Sequence, residues 1–184
     1  MRAHDLAFID CSDECLGIDD DAGGEITRDI AISNVKVSGA RDIVLRIGVA
    51  GPWREGNAEV EKVSVSGLEV EWTEKPRYWP IVIAEARDVT LQGLRLSGTG
   101  ERVGGLISFP GGPARHRTNI VLKDIVATIP RDEVLILIPP DIALGKAVFE
   151  VSNVTCEGGQ LFAFAAGVIP NNPNMRIEGR AVAP

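Results

Sequence analysis

The sequence predicts an all-β chain wound into a parallel β-solenoid, and three observations carry that expectation. One short phrase recurs: apolar, any, apolar, any, then Asn, Asp or Gly, then apolar, any, small or apolar. Clear copies start at Ile30, Val63, Val89, Ile120 and Phe149, which puts Asn34, Gly67, Gly93, Asp124 and Asn153 at the fifth position. Weaker copies start at Leu6 and Met175 and centre on Asp10 and Gly179. These seven anchors lie roughly 24 to 33 residues apart, the spacing of a solenoid repeat. Apolar residues alternate with a period of two, with no window of helical amphipathicity.

Each part of the repeat has a physical role. Asn, Asp and Gly tolerate a left-handed backbone, so the fifth position bends the chain between two short strands. A loop follows, then a third apolar run: Leu16–Ile18, 43–47, Ile81–Ile83, 106–109, Val134–Ile138 and 161–164. Parallel strands need long crossovers, and here each crossover is one full coil. About seven three-stranded coils at ~4.8 Å spacing make a rod of roughly 30 Å, in one domain spanning residues 1–184. Length varies mainly in the loops flanking the third strand, at 48–59, 72–80, 97–105 and 109–118. Insertions on one flank of a repeat mark the surface that carries function.

Composition narrows the classes of function. The chain has 184 residues, 45% of them hydrophobic, and a formal net charge of −7. That charge argues against a general nucleic-acid or acidic-membrane binder. No apolar run approaches ~18 residues, so no membrane span is expected. The start, Met1-Arg2-Ala3-His4-Asp5, lacks the apolar stretch of a signal peptide; an extracellular location is expected only if the chain is part of a longer secreted protein. Cys11, Cys15 and Cys156 have no metal-ligand companions at useful spacing; they read as small buried residues, with a Cys11–Cys15 bridge possible if the local bend brings the pair together.

With its bend, loop and third strand, the chain resembles the right-handed parallel β-helices of the pectin-lyase-like superfamily. Asn34 and Asn153 look like the residues at the turn between that fold's second and third sheets. Ser12-Asp13-Glu14-Cys15-Leu16-Gly17-Ile18 is similar to the D-D-C segment of polygalacturonases, glycoside hydrolase family 28. The resemblance implies that Asp13 and Glu14 stand where the family keeps its paired acids, one protonating the leaving oxygen and the other activating water. The chain departs from the family at other positions. The G-H expected near 41–48 has no His, the R-I-K expected near 81–84 is absent, and the N-T-D segment would precede Met1. The expectation is therefore a fragment or degenerate member: a non-catalytic, carbohydrate-related module. The alternative is a glycoside hydrolase or polysaccharide lyase acting on an acidic glycan, with Asp13 and Glu14 as acid and base.

Other residues suit a polysaccharide ligand. Trp53 and Arg54, then Trp72, Arg77 and Trp79, place aromatic faces and guanidiniums beside the third strand, where sugar rings and uronic carboxylates would meet them. Each also reads as cover over a junction between loop and core. Alternation points Arg46 outward while Leu45 and Ile47 face inward, so Arg46 is the leading candidate for gripping an anion, or else an ordinary surface charge. Asp19, Asp20 and Asp21 form an acidic turn that could take Ca²⁺, although a solvated turn is the preferred reading and no cofactor is expected. His4 and His116 have no neighbours suited to catalysis and are expected at the surface.

Val134–Ile138 is apolar at every position, as are Ile81–Ile83 and Leu161-Phe162-Ala163-Phe164. Continuous apolar runs indicate strands covered on both faces. A homo-oligomer contact over the outer face of the third sheet is the expected cover.

Overall fold

The computed structural model describes residues 1–19, 26–48, 59–72, 79–98, 105–109, 118–165 and 167–182. The elements, in chain order, are β1 (Arg2–Ile9), β2 (Leu16–Ile18), β3 (Ile26–Ala40), β4 (Leu45–Ile47), β5 (Glu59–Trp72), β6 (Ile81–Ile83) and β7 (Ala86–Gly98). They continue with β8 (Gly105–Ser108), β9 (Thr118–Thr128), β10 (Val134–Ile138), α1 (Pro140–Leu144), β11 (Phe149–Glu157), β12 (Gln160–Phe164) and β13 (Met175–Val182). The long odd-numbered strands form one sheet in the order β1-β3-β5-β7-β9-β11-β13. The short even-numbered strands form a second, β12-β10-β8-β6-β4-β2. Every pairing is parallel between successive coils, so the chain is a parallel β-solenoid.

The core lies between the two sheets and is built of stacked columns. In the first sheet Ile32, Val65, Leu91, Leu122 and Val151 pair in succession and all are buried. In the second, Leu45, Ile81, Ile107 and Ile136 form a column with no exposed surface. The β-branched and leucine side chains suit such stacking because each rung meets a neighbour of the same shape.

Asn34, Gly67, Gly93, Asp124 and Asn153 do take left-handed conformations, with φ between 51° and 68°. They share a column with Asp5, not Asp10, since β1 pairs His4 with Ser33 and Leu6 with Val35. A second row of left-handed residues lies five positions earlier: Asp29, Lys62, Asp88 and Asn119, with φ between 54° and 56°. Further corners follow at Asp10, Gly39 and Gly158. The bends thus recur every five residues, which is why a phrase starting at Leu6 matches one corner too late. At the other end β13 skips a residue opposite β11: Val151 faces Ile177 and Val154 faces Gly179, so Gly179 is not a corner counterpart of Asn153.

Pairing runs through the corners, so the two short strands expected before and after the bend form one continuous bent strand. The solenoid makes about five turns, fewer than the seven coils expected. The anchors count all seven strands of the first sheet, including both terminal ones, and so overstate the turns that close.

The corner side chains also bond along the rod. Asn34 Nδ2 donates to Asp5 Oδ1 at 3.1 Å, Asn119 to Asp88 at 2.7 Å and Asn153 to Asp124 at 2.7 Å. In each pair the amide of the later coil donates to the carboxylate one coil earlier. Asp29 is followed in its column by Lys62, a residue poorly suited to left-handed backbone. Lys62→Asn is expected to stabilise the fold by about 1 kcal/mol, by relieving that backbone cost and adding a fourth amide–carboxylate rung. A urea midpoint that stays put or falls would show that the corner ladder adds nothing.

The outer column of the second sheet runs Gly17, Arg46, Val82 and Ser108, with Leu137 and Ala163 paired farther along. Val82 and Ser108 are buried within the single chain. The apolar outer face expected along the whole sheet therefore contracts to half-buried Leu137 and Ala163; Phe162 pairs with Ile136 in the inward column and is 37% exposed on the terminal strand of the sheet. Phe162 and Phe164 meet edge to face at 5.7 Å between ring centres.

Candidate functional site

A cluster of three charged side chains is built around Arg46. Leu45 and Ile47 anchor β4 in the core, and strand alternation sends the residue between them to the opposite face. Gly17 of β2 stands directly across the ladder. A Cβ at Gly17 would overlap the Glu14 carboxylate, so the absence of a side chain there is what lets Glu14 reach across the strand. Arg46 Nε donates to Glu14 Oε2 at 2.6 Å and Nη2 donates to Oε1 at 3.2 Å, a two-pronged pairing of planar groups. The same Nη2 pairs with the Asp19 carboxylate, and Nη1 donates to the Gly48 carbonyl at 3.4 Å.

Glu14 precedes β2 and Asp19 follows it, so Arg46 clasps both ends of that strand. The three side chains are 22%, 25% and 19% exposed for Arg46, Glu14 and Asp19. Burial by itself would lower the guanidinium's pKa, but the bond and charge of Glu14, followed by Asp19, outweigh it and hold Arg46 above the usual arginine value. The arrangement carries one net negative charge and joins adjacent coils. Glu14 has both oxygens committed to the Arg46 guanidinium.

The proposed site residues meet different fates. Glu14 and Arg46 come together, but the anion that Arg46 grips belongs to its own chain. Asp13 is exposed at the turn, unlike its half-buried neighbour Glu14, so the adjacent acids have unlike surroundings. Asp19 is engaged by Arg46, and its carbonyl accepts a bond from Thr27 Oγ1 at 3.1 Å. Asp20 and Asp21, the rest of the suggested Ca²⁺ turn, lie outside the described residues, as do Trp53, Arg54, Arg77 and His116. Trp79 is half-buried.

Trp72 is not a surface platform. It is 3% exposed, belongs to the core and lies across the ladder from Gly98. A Cβ at Gly98 would overlap the indole, so the glycine makes the hollow that the ring fills. The strand end carries Trp72 inward although the sequence around it reads as a loop. His4 is at the surface and bonds its neighbour Asp5 at 2.8 Å, which together with Asn34 holds the Asp5 carboxyl below its ordinary range.

Two features were not legible as site chemistry. The pair Cys11 and Cys15 is bridged, with its Cα atoms 5.8 Å apart, where isolated burial was the favoured reading. Asn172 is buried and ties two loops together: its amide donates to the Ile142 carbonyl at 2.8 Å and the Ala147 carbonyl at 3.0 Å, and its oxygen accepts from the Asn174 N–H at 2.9 Å. The surrounding Asn and Pro residues signal a turn, but nothing local identifies carbonyls 25 to 30 residues away as partners. Cys156 is a buried free thiol, and burial raises its pKa. No protein-family model, curated protein or solved structure matches this chain.

Proposed function

We propose that this chain is a non-catalytic β-solenoid module of the pectin-lyase-like kind, carbohydrate-related in ancestry, which self-associates through the outer face of its second sheet. The observation that carries the non-catalytic part is the clasp on Glu14. A carboxylate with both oxygens committed to a half-buried arginine is a structural brace, and it is the better placed of the two suggested acids. Self-association is supported by the apolar surface that remains on that outer face at half-buried Leu137 and Ala163.

Light scattering on the full chain is expected to report a dimer or trimer at micromolar concentration. Leu137→Lys is expected to reduce that mass to the monomer without loss of the β-sheet circular-dichroism signal. A monomer at every concentration tested would remove self-association from the proposal.

A second reading rests on Glu14 lying beside Arg46, as a cleft for an acidic glycan requires. Under it the chain would cut a uronic-acid polymer and lose that activity in Asp13→Asn and Glu14→Gln. Inactivity across a panel of such polymers favours the non-catalytic module.

A further inference from the structure

The Cys11–Cys15 disulfide spans the turn between β1 and β2, and the small ring that it closes holds Ser12, Asp13 and Glu14. The residue just before Cys15 is thus the carboxylate that grips Arg46. We propose that this pair is a thiol-exchange site, a redox latch that a small monothiol of the glutathione class opens and whose opening releases Glu14 from Arg46.

Three observations bear on this. Both cysteines are half-buried, so the turn they bridge is not sealed inside the core. Each is also tied to the next coil through its backbone: the Arg41 N–H donates to the Cys11 carbonyl at 3.0 Å and the Cys15 N–H donates to the Ile43 carbonyl at 3.0 Å. Those bonds hold the bridged turn against the coil that carries Arg46, and reduction loosens them. What reduction removes is the constraint on residues 12–14. Four residues extend to roughly 13 Å, whereas the bridge holds the Cα atoms 5.8 Å apart. The ring is too short to constrain much of the unfolded chain, so its effect is local to the turn that delivers Glu14.

The chemistry balances. A monothiolate attacks one sulfur of the bridge, the sulfur–sulfur bond breaks, and a mixed disulfide forms. A second monothiolate attacks the sulfur of the first in that mixed disulfide and displaces the cysteine thiolate. Cys11 and Cys15 end as thiols carrying the two protons, and the two monothiols end oxidised as their own disulfide. Cys156 is buried in β11 and directs its thiol toward the Gln160 carbonyl, so it takes no part.

If the bridge supports the clasp, the clasp supports the bridge by the same factor. The test titrates the full chain with mixtures of reduced and oxidised glutathione, traps thiols by alkylation after unfolding, and counts them by mass. The untreated chain is expected to label once, at Cys156, and the reduced chain three times. Arg46→Met and Glu14→Gln are each expected to move the reduction midpoint about fivefold or more toward lower thiol concentration. Amide exchange at Cys15 and Arg41 in the parent chain is expected to speed up about tenfold on reduction. Glu14→Gln keeps the side chain's shape, so it serves as the test if Arg46→Met fails to fold. Labelling of all three cysteines without reductant would overturn the proposal. So would midpoints that coincide in the parent chain and the folded variants, or amide exchange that ignores reduction.

Discussion

Trp72→Ala is expected to cost about 3–5 kcal/mol of stability, the usual range for emptying a large buried aromatic site. Folded domains hold roughly 5–15 kcal/mol in total, so the variant should lose its cooperative urea transition or show it at a much lower midpoint. The reason is local and specific. The ring is buried in the hollow over Gly98, at the end of β5, and no other side chain of that rung can replace it. Trp72→Phe keeps part of the ring volume and should lose less. Gly98→Ala should destabilise by the opposite route, by filling the hollow that the indole occupies. If Trp72→Ala instead left the urea midpoint unchanged and removed binding to an acidic oligosaccharide, the side chain would be a ligand platform and the core assignment wrong.

Arg46→Met is expected to cost about 1–3 kcal/mol, with the loss concentrated in the first coil. The substitution keeps much of the aliphatic stem but leaves Glu14 and Asp19 as two like charges without their shared cation. Removing one partner of a fully buried pair costs more, but partial exposure lets water screen these carboxylates. Neutralising them as well, in the triple variant Arg46→Met, Glu14→Gln, Asp19→Asn, should recover most of the loss, because the penalty lies in the uncompensated charges. Urea denaturation together with amide exchange over residues 11–19 and 41–47 measures both. A single variant within about 0.5 kcal/mol of the parent would mean that the clasp is a surface pair of no consequence.

How much of this was legible in the sequence differs from element to element. The strands of the second sheet were, because Ile81–Ile83 and Val134–Ile138 are short apolar runs bounded by turn residues and need no distant partner to identify them. The corner at Asn34 was visible because Asn tolerates left-handed backbone. The corner at Lys62 was not, since nothing about lysine predicts φ of 54°; the coils on either side impose it. The register of the first strand was lost for a related reason. With a corner every five residues, Asp5 and Asp10 are equally good fifth positions, and only pairing with Ser33 and Val35 decides between them.

The candidate site was legible as a list of residues and not as an arrangement. Alternation places Arg46 on the outer face, and the position of Glu14 before β2 follows from the strand. That both meet over Gly17 depends on the register between β2 and β4, which spans 29 positions from Leu16 to Leu45. Trp72 reads as an exposed aromatic because a variable loop follows it. Its burial depends on Gly98 one coil later.

By itself, then, the sequence determined the parallel solenoid, because a period-two pattern and residues tolerant of left-handed backbone act within a few positions of the chain. Only the tertiary structure decided what the outward side chains do. Stacking coils brings residues roughly 30 positions apart into contact. That stacking turns Arg46 from a free cation into the clasp on Glu14 and Asp19, seats Trp72 in the core, and reduces a long apolar face to Leu137 and Ala163. Charge pairing and burial are properties of the distance between coils, and local sequence does not contain that distance.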